Sequence, residues 1–362
     1  MNLFSPVSLG DLQLPNRVVM APLTRLRSGE EGVPGPVVAE QYAQRASFGL
    51  IVAEGTYPSP ESRGYAGQPG IVTDAQVEGW RAVTDAVHGR GGRIVLQVMH
   101  AGRVSHPDIT GTDRIVAPSA IAIQGEVHTA TEKKPFPVPH ALSTEEVHAA
   151  VRDLVAASRR AVDAGFDGVE LHSANGYLLH EFLSPAANRR EDEYGGTPEN
   201  RARLTLEAAT AIAEEIGGGR VGVRISPAHN IQDAFEQDPA DVLATYGTLV
   251  DGLAPLNLAY LSVLHAEPAG ELVQELRRRF GGPLMANSGF GVVTNREEAL
   301  ALVADGVADA VAVGRMAIAN PDLVERWEGG HAENEPNPST FYAQGGIGYT
   351  DYPFLEEARQ GA

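Results

Sequence analysis

Short apolar runs alternate along the chain with longer stretches whose apolar positions recur every three or four residues. The short runs fall at 17–21, 50–54, 93–98, 168–172, 221–225, 258–263, 283–286 and 308–313. Most are near-continuously apolar, the pattern of parallel strands covered on both faces. The longer stretches, at 37–46, 74–90, 144–164, 198–216, 239–252, 271–280, 295–305 and 321–327, carry helical spacing. Punctuation supports them. Ser143 with Glu146 forms a capping-box pattern, and Thr197-Pro198 sets a cap before a proline at the first helical position. Gly165 and Gly217-Gly218-Gly219 supply helix stops. Eight strand–helix units in succession predict an α/β fold, a closed (βα)8 TIM barrel. A doubly wound open sheet is the alternative, but it rarely uses eight regular repeats.

Two segments stand outside the repeat. Residues 3–14 read as a short hairpin that closes the N-terminal end of the barrel. Residues 102–142 are rich in Pro, Gly and Thr and far longer than an ordinary βα loop. Because they follow the third strand, they are expected to cap the catalytic face. The 362 residues fit one domain, since this fold grows by insertion.

Composition removes several classes of function. The net charge of −19 disfavours a duplex nucleic-acid partner. The basic run Arg277-Arg278-Arg279 sits in a helical stretch and reads as solvated surface. No apolar run approaches a membrane span, and the N-terminus lacks the pattern of a secretory signal. With no cysteine, disulfides, thiolate zinc sites, iron–sulfur clusters and thiol nucleophiles are excluded. A cytoplasmic protein is expected, as a monomer or homodimer.

In a βα barrel the chemistry sits at the C-terminal ends of the strands. There the sequence places Pro22-Leu23-Thr24-Arg25, Glu54-Gly55-Thr56, Gln97 with His100 and Arg103, His172 through Tyr177, Arg224, Asn287 through Phe290, and Gly314-Arg315. The seventh and eighth strand ends are the usual phosphate site of this fold. Gly289 and Gly314 allow close backbone approach there, and the Arg315 guanidinium offers a fork for phosphate oxygens. At the fourth strand end, His172 and Asn175 can both bond one ligand oxygen, and Tyr177 carries a phenol that can deliver a proton. That set suits polarising a carbonyl and protonating the carbon beside it. A metal site is disfavoured, because no His-rich or carboxylate cluster of suitable spacing surrounds these residues.

These stretches resemble the Old Yellow Enzyme family of FMN-dependent oxidoreductases. The match runs through Ala21-Pro22-Leu23-Thr24-Arg25, Glu54-Gly55-Thr56, Leu96-Gln97, His100-Ala101-Gly102-Arg103 and His172 through Leu179. It continues through Phe182-Leu183-Ser184-Pro185, Asn188-Arg189-Arg190, Tyr194-Gly195-Gly196, Glu199-Asn200-Arg201, Gly314-Arg315 and Gly348 through Pro353. The resemblance implies bound FMN, with NAD(P)H, NADPH being favoured, as reductant. It implies that Pro22, Leu23, Thr24, Gly55, Gln97 and Arg224 meet the flavin ring, and that Gly289, Gly314 and Arg315 hold its phosphate. His172 and Asn175 would bind the substrate oxygen. Tyr177 would protonate the α-carbon of an activated alkene (enone, enal, maleimide or nitroalkene) as hydride reaches the β-carbon. Tyr65 and Tyr342 match aromatics of the substrate pocket, and Met99 stands where many relatives carry tryptophan. Thr24 rules out the subgroup with cysteine at that position.

Other acceptors within the family remain open: nitrate esters, quinones and dienoyl thioesters. A more distant alternative is a flavin-free barrel hydrolase whose carboxylates are Glu54 and Glu170, both of which would have to face the top cavity. A non-catalytic FMN binder is a third class, against which the phenol of Tyr177 argues.

Overall fold

The computed structural model describes residues 1–355. Eight parallel strands close into a barrel. They are β1 (Val18–Met20), β2 (Leu50–Thr56), β3 (Ile94–Val98), β4 (Gly168–Ser173), β5 (Val221–Ile225), β6 (Tyr260–Leu264), β7 (Leu284–Asn287) and β8 (Ala310–Val313). The helices between and after them are α1 (Pro36–Ala43), α2 (Asp74–His88), α3 (Thr144–Asp163), α4 (Pro198–Ile216), α5 (Pro239–Leu253), α6 (Glu271–Phe280), α7 (Arg296–Ala304) and α8 (Leu323–Gly329).

Alternate residues of each strand serve two cores, which explains the unbroken apolar runs. Val18, Ile51, Ile94, Leu96, Val169, Leu171, Val223 and Leu261 face outward and pack with helix residues such as Trp80, Val83, Leu154 and Leu249. Val19, Val52, Val95, Tyr260, Met285, Ala310 and Ala312 face inward at the barrel floor. The antiparallel hairpin Val7–Leu9 with Leu12–Leu14 seals that floor with Leu9, Leu12 and Leu14. Its turn requires Gly10, whose φ is +55° and whose missing Cβ would lie 2.6 Å from the Gly219 carbonyl oxygen.

Towards the other end the inward positions turn polar. Strand register sets Glu170 beside Gln97, His172 beside Arg224, and Arg224 beside Ser262. All of them are buried. The apolar floor thus pays for a polar upper storey.

Most helix ends follow the sequence signals. Ser143 and Glu146 make the reciprocal capping box of α3, and the Thr197 side chain caps α4. Such a cap contributes about 1 kcal/mol. Three short helices lie outside the sequence expectation: Pro107–Thr110, Leu178–Leu183 and Arg315–Ala319. Each is too short to display a helical period.

Residues 102–142 fold as a small cap of a helical turn, the paired strands Val116–Ala117 and His140–Ala141, and the hairpin Glu126–His128 with Lys133–Pro135. Its base is pinned by charge. Arg114 meets Glu61 at 2.5 Å and Glu146 at 2.6 Å, and Arg190 donates to the Pro118 carbonyl at 3.1 Å. The basic run on α6 is surface, with Arg277, Arg278 and Arg279 paired to Asp309, Glu275 and Asp251. Among the described residues no helix is long and apolar enough to cross a membrane.

Candidate active site

The upper storey begins with a buried relay. Gln97 Nε2 donates to Glu170 Oε1 at 2.8 Å and lies 3.2 Å from His172 Nδ1. An amide nitrogen only donates, so His172 Nδ1 accepts and its Nε2 carries the proton. Burial first, then the nearby Arg224 cation, holds the imidazole pKa well below its ordinary value. At neutral pH His172 is therefore an uncharged donor.

Arg224 is the buried cation of this storey. Its Nη2 reaches Asn287 Oδ1 at 3.4 Å, while Nε and Nη1 have no partner among the described residues. A buried guanidinium left this open is costly unless an acceptor arrives. Glu170 is the carboxylate that supports its charge.

After β4 the chain makes a tight turn. Asn175 (φ +59°) and Gly176 (φ +80°) both adopt left-handed backbone, and Tyr177 then opens the helix Leu178–Leu183. The Asn175 amide Oδ1 is buried without a partner among the described residues. The Tyr177 ring lies 5.3 Å from the His172 ring, centroid to centroid. Its hydroxyl is 2.6 Å from that of Tyr65. Burial raises the Tyr177 pKa, opposed by hydrogen bonding from Tyr65 and Gln232, so the phenol is neutral at pH 7. Met99, Ala101, Val104 and Ile123 pack with Tyr177, and Tyr65 and Phe136 join at the edge. The cap thereby supplies apolar cover for the phenol.

The remaining sequence candidates occupy the rim and its walls. Pro22, Leu23 and Thr24 are half-buried at the end of β1. A Cβ on Gly55 would lie 2.7 Å from Met99 Sδ and 3.3 Å from Gln97 Oε1, so this position has no room for a side chain. Gly289 needs its φ of +94°. A Cβ on Gly314 would make only ordinary contact with Leu23, at 3.6 Å, so packing within the chain does not demand that glycine. Arg315 is exposed and donates to the Phe290 carbonyl at 2.6 Å. Tyr342 is 62% exposed, on the rim rather than in an enclosed wall. Its segment is clasped by the first loop, where Arg25 bonds the Phe341 and Gly348 carbonyls and Arg27 those of Gly345 and Ile347.

Glu54 does not join Glu170. The strand register breaks between Ala53 and Thr56, and the Glu54 carboxylate accepts the backbone N–H groups of Arg25 (2.9 Å) and Leu26 (3.3 Å). It is a loop anchor, which removes the carboxylate pair a barrel hydrolase needs.

Sequence reasoning passed over Ser226, Gln232, His180 and Glu236, which surround the Asn175–Tyr177 turn. The unusual length of the segment after β5 was the available signal.

The barrel top thus gathers an arginine with unpaired nitrogens, an imidazole, an amide and a buried phenol. Comparison with known proteins supplies the class. The model of the NADH:flavin oxidoreductase / NADH oxidase family matches residues 2–334. The chain is 41% identical to a probable flavin mononucleotide-dependent alkene reductase of Leishmania infantum, across 98% of this chain and 97% of that one. It is 41% identical to 12-oxophytodienoate reductase 1 of Oryza sativa subsp. japonica, across 98% and 93% respectively. Among solved structures it matches the old yellow enzyme homologue from Zymomonas mobilis with a TM-score of 0.93 at 40% identity, covering 98% of this chain and 100% of that one. It matches morphinone reductase in complex with tetrahydroNAD with a TM-score of 0.92 at 45% identity, covering 99% of each. The chain belongs to the NADH:flavin oxidoreductase family and is an FMN-dependent NAD(P)H oxidoreductase.

Proposed function

We propose that the protein is an ene-reductase for activated alkenes, with His172 and Asn175 binding the substrate oxygen and Tyr177 as proton donor. The observation that carries this reading is the neutral, buried Tyr177 phenol beside a His172 imidazole whose proton is directed to Nε2.

The residues present fit FMN. The unpaired nitrogens of Arg224 suit the electron-rich pyrimidine edge of the ring, where a fixed cation favours the reduced anion. Gln97 spends its amide nitrogen on Glu170 and His172, leaving Oε1 for a ring N–H. Pro22, Leu23, Thr24 and Gly55 line the approach, Gly55 by having no side chain. Gly289, Gly314 and Arg315 supply the open backbone and guanidinium for the phosphate. Bound FMN, once reduced by NAD(P)H, supplies the hydride.

His172 Nε2–H donates to the oxygen of the electron-withdrawing group, and the Asn175 amide turns to present Nδ2 to the same atom. Both strengthen as negative charge gathers there, which selects the transition state over the bound substrate. Tyr177 gives its proton to the α-carbon. Its phenolate forms while Tyr65 still donates to it, which limits the cost of that charge. Met99, Ile123 and Phe136 keep water away from the transfer. Tyr65 and Met99 form the wall near the proton donor, and Tyr342 guards the rim.

The test uses purified holoenzyme. It should be yellow, bleach anaerobically with NADPH, and regain colour on addition of cyclohexenone. A protein that takes up no FMN, or that bleaches but is not reoxidised by the enone, refutes the proposal; in the second case, recolouring by a nitrate ester or quinone assigns the acceptor.

A further inference from the structure

Asn175 stands in left-handed backbone without being glycine, at φ +59°. Asparagine tolerates that conformation better than most side chains, but it still has to be held from outside. Three side chains hold it. The Asn175 N–H donates to Ser226 Oγ at 2.8 Å, the Asn175 carbonyl accepts from Gln232 Nε2 at 2.9 Å, and the Gly176 N–H donates to His180 Nδ1 at 2.7 Å. His180 is fully buried. Since its Nδ1 is an acceptor, the proton of the neutral ring is on Nε2, which lies 3.3 Å from Glu236 Oε1, close enough for attraction but off the line of a hydrogen bond. Glu236 is buried as well. It accepts from the Tyr246 hydroxyl at 2.9 Å and from the Ala228 N–H at 2.7 Å. One carboxylate therefore joins α5, the segment after β5 and the helix that follows Tyr177.

We propose that His180 and Glu236 are positioning residues for the reaction: Glu236 fixes the orientation and tautomer of His180, and His180 locks the turn that presents Asn175 and Tyr177. The inference rests on the ene-reductase reading for its kinetic consequences, but the contact itself is readable without substrate. A proton on Nδ1 would set two donors against each other at the Gly176 N–H, and a turned-over ring would present a C–H there; either way the turn would lose its acceptor and open. A carboxylate at position 236 opposes this, because its negative charge 3.3 Å from Nε2 favours the proton there. A glutamine there does not. With its two other donors, Tyr246 and Ala228, still in place, its amide N–H would confront either Ala228 or His180.

The variants are His180→Gln, His180→Leu and Glu236→Gln. Glutamine at 180 can accept from Gly176 and donate to Glu236; leucine can do neither. Two readouts apply. Hydrogen exchange of the 174–178 segment should accelerate about tenfold or more in His180→Leu and Glu236→Gln and stay near wild type in His180→Gln. In cyclohexenone turnover, KM should rise about tenfold in the first two, with FMN content retained, and change less than about twofold in His180→Gln. Adding His180→Leu to Asn175→Ala should then leave KM where Asn175→Ala alone put it, since both act on one contact. Wild-type exchange in His180→Leu overturns the proposal, as does equal damage from His180→Gln or independent, multiplying effects with Asn175→Ala. If His180→Leu fails to fold, Glu236→Gln against His180→Gln decides by the same readouts. A wild-type enzyme that ignores cyclohexenone defeats the functional reading and leaves the exchange result to judge the positioning role.

Discussion

Tyr177→Phe separates proton delivery from everything else the site does. The substitution removes one oxygen from a packed ring and keeps the contacts with Met99 and Ile123. It also takes away the partner of the Tyr65 hydroxyl at 2.6 Å. The Tyr65 hydroxyl is itself buried, so leaving it without Tyr177 should cost about 1–3 kcal/mol of stability. The kinetic loss is a separate quantity, because a positioned general acid contributes about 10²–10⁴-fold. It should appear only where the reaction needs a proton at carbon. With an enone the proposed mechanism leaves a strongly basic enolate, whose α-carbon has to be protonated on the enzyme. With a nitroalkene the charge settles on the nitro oxygens, and the product can be protonated later in water.

The assay is anaerobic stopped flow. Bleaching by NADPH should proceed within about twofold of wild type, because Tyr177 donates nothing in that half-reaction. Recolouring by cyclohexenone should slow about 10²–10⁴-fold and that by nitrostyrene by less than about tenfold. Equal losses with both acceptors, or an equal loss in bleaching, would refute the assignment.

The pH dependence follows from two pKa directions. Burial pushes Tyr177 up and His172 down, so neither changes charge between about pH 6 and 9, and enone reduction should be flat across that window; a break near pH 6.5 would show that His172 titrates during turnover. Glu181 is buried against the Arg103 backbone N–H, and burial lifts its pKa from 4.5 to about 8. Its folded pKa exceeds its unfolded one, so the folded state holds the extra proton and stability is lost as pH rises from 4.5 towards 8. Glu181→Gln should therefore raise Tm at pH 8.5, by an amount corresponding to a few kcal/mol at most, and leave it nearly unchanged at pH 4.5; a Tm gain of equal size at both values would contradict this. Arg224→Met removes the buried cation, and its holoenzyme should lose FMN on gel filtration more readily than wild type and show a lower flavin midpoint potential. An unchanged potential would place Arg224 away from the ring.

The barrel was legible because each strand is apolar on both faces, so 50–54 and 221–225 could not be mistaken for half-exposed strands. Errors gathered where strands end in polar residues. Thr56, Ser173 and Asn287 continue the ladders by one or two residues and use their side chains in polar contacts (Asn287 with Arg224, Ser173 with Thr205 on α4), where a hydrophobic pattern gives no signal. Glu54 shows a second limit. Its place near the end of a strand suggested a cavity carboxylate, yet the register break after Ala53 sends it to the first loop. Strand parity cannot anticipate a bulge.

What escaped the sequence most completely is the segment after β5. Ala228, Asn230, Gln232 and Asp233 all have positive φ, and none is glycine. Sequence rules attach that conformation to glycine, so 226–238 reads as an ordinary polar loop. Its shape is enforced from a distance instead: Glu236 accepts the Ala228 N–H, Asn230 Oδ1 accepts the Glu236 N–H, and Asp233 accepts the Gln124 N–H of the cap. The same segment reaches Asn175 through Ser226 and Gln232. This divides the site by origin. The groups proposed to meet flavin and substrate oxygen, Gln97, His172 and Arg224, sit on strands whose positions a hydrophobic pattern fixes. The groups that shape the space above Tyr177, namely Tyr65, Met99, Ile123 and Phe136, come from the loop after β2, the end of β3 and the cap. Met99 is rooted by its backbone N–H on the Thr56 carbonyl at 2.9 Å, and its sulfur fills the space that Gly55 leaves. A larger side chain at position 99 must therefore displace either Gly55 or Tyr177. Reaction class and acceptor choice thus have separate physical carriers, and changes in the cap and at Met99 can retune the acceptor while the relay from Glu170 through Gln97 to His172 stays intact.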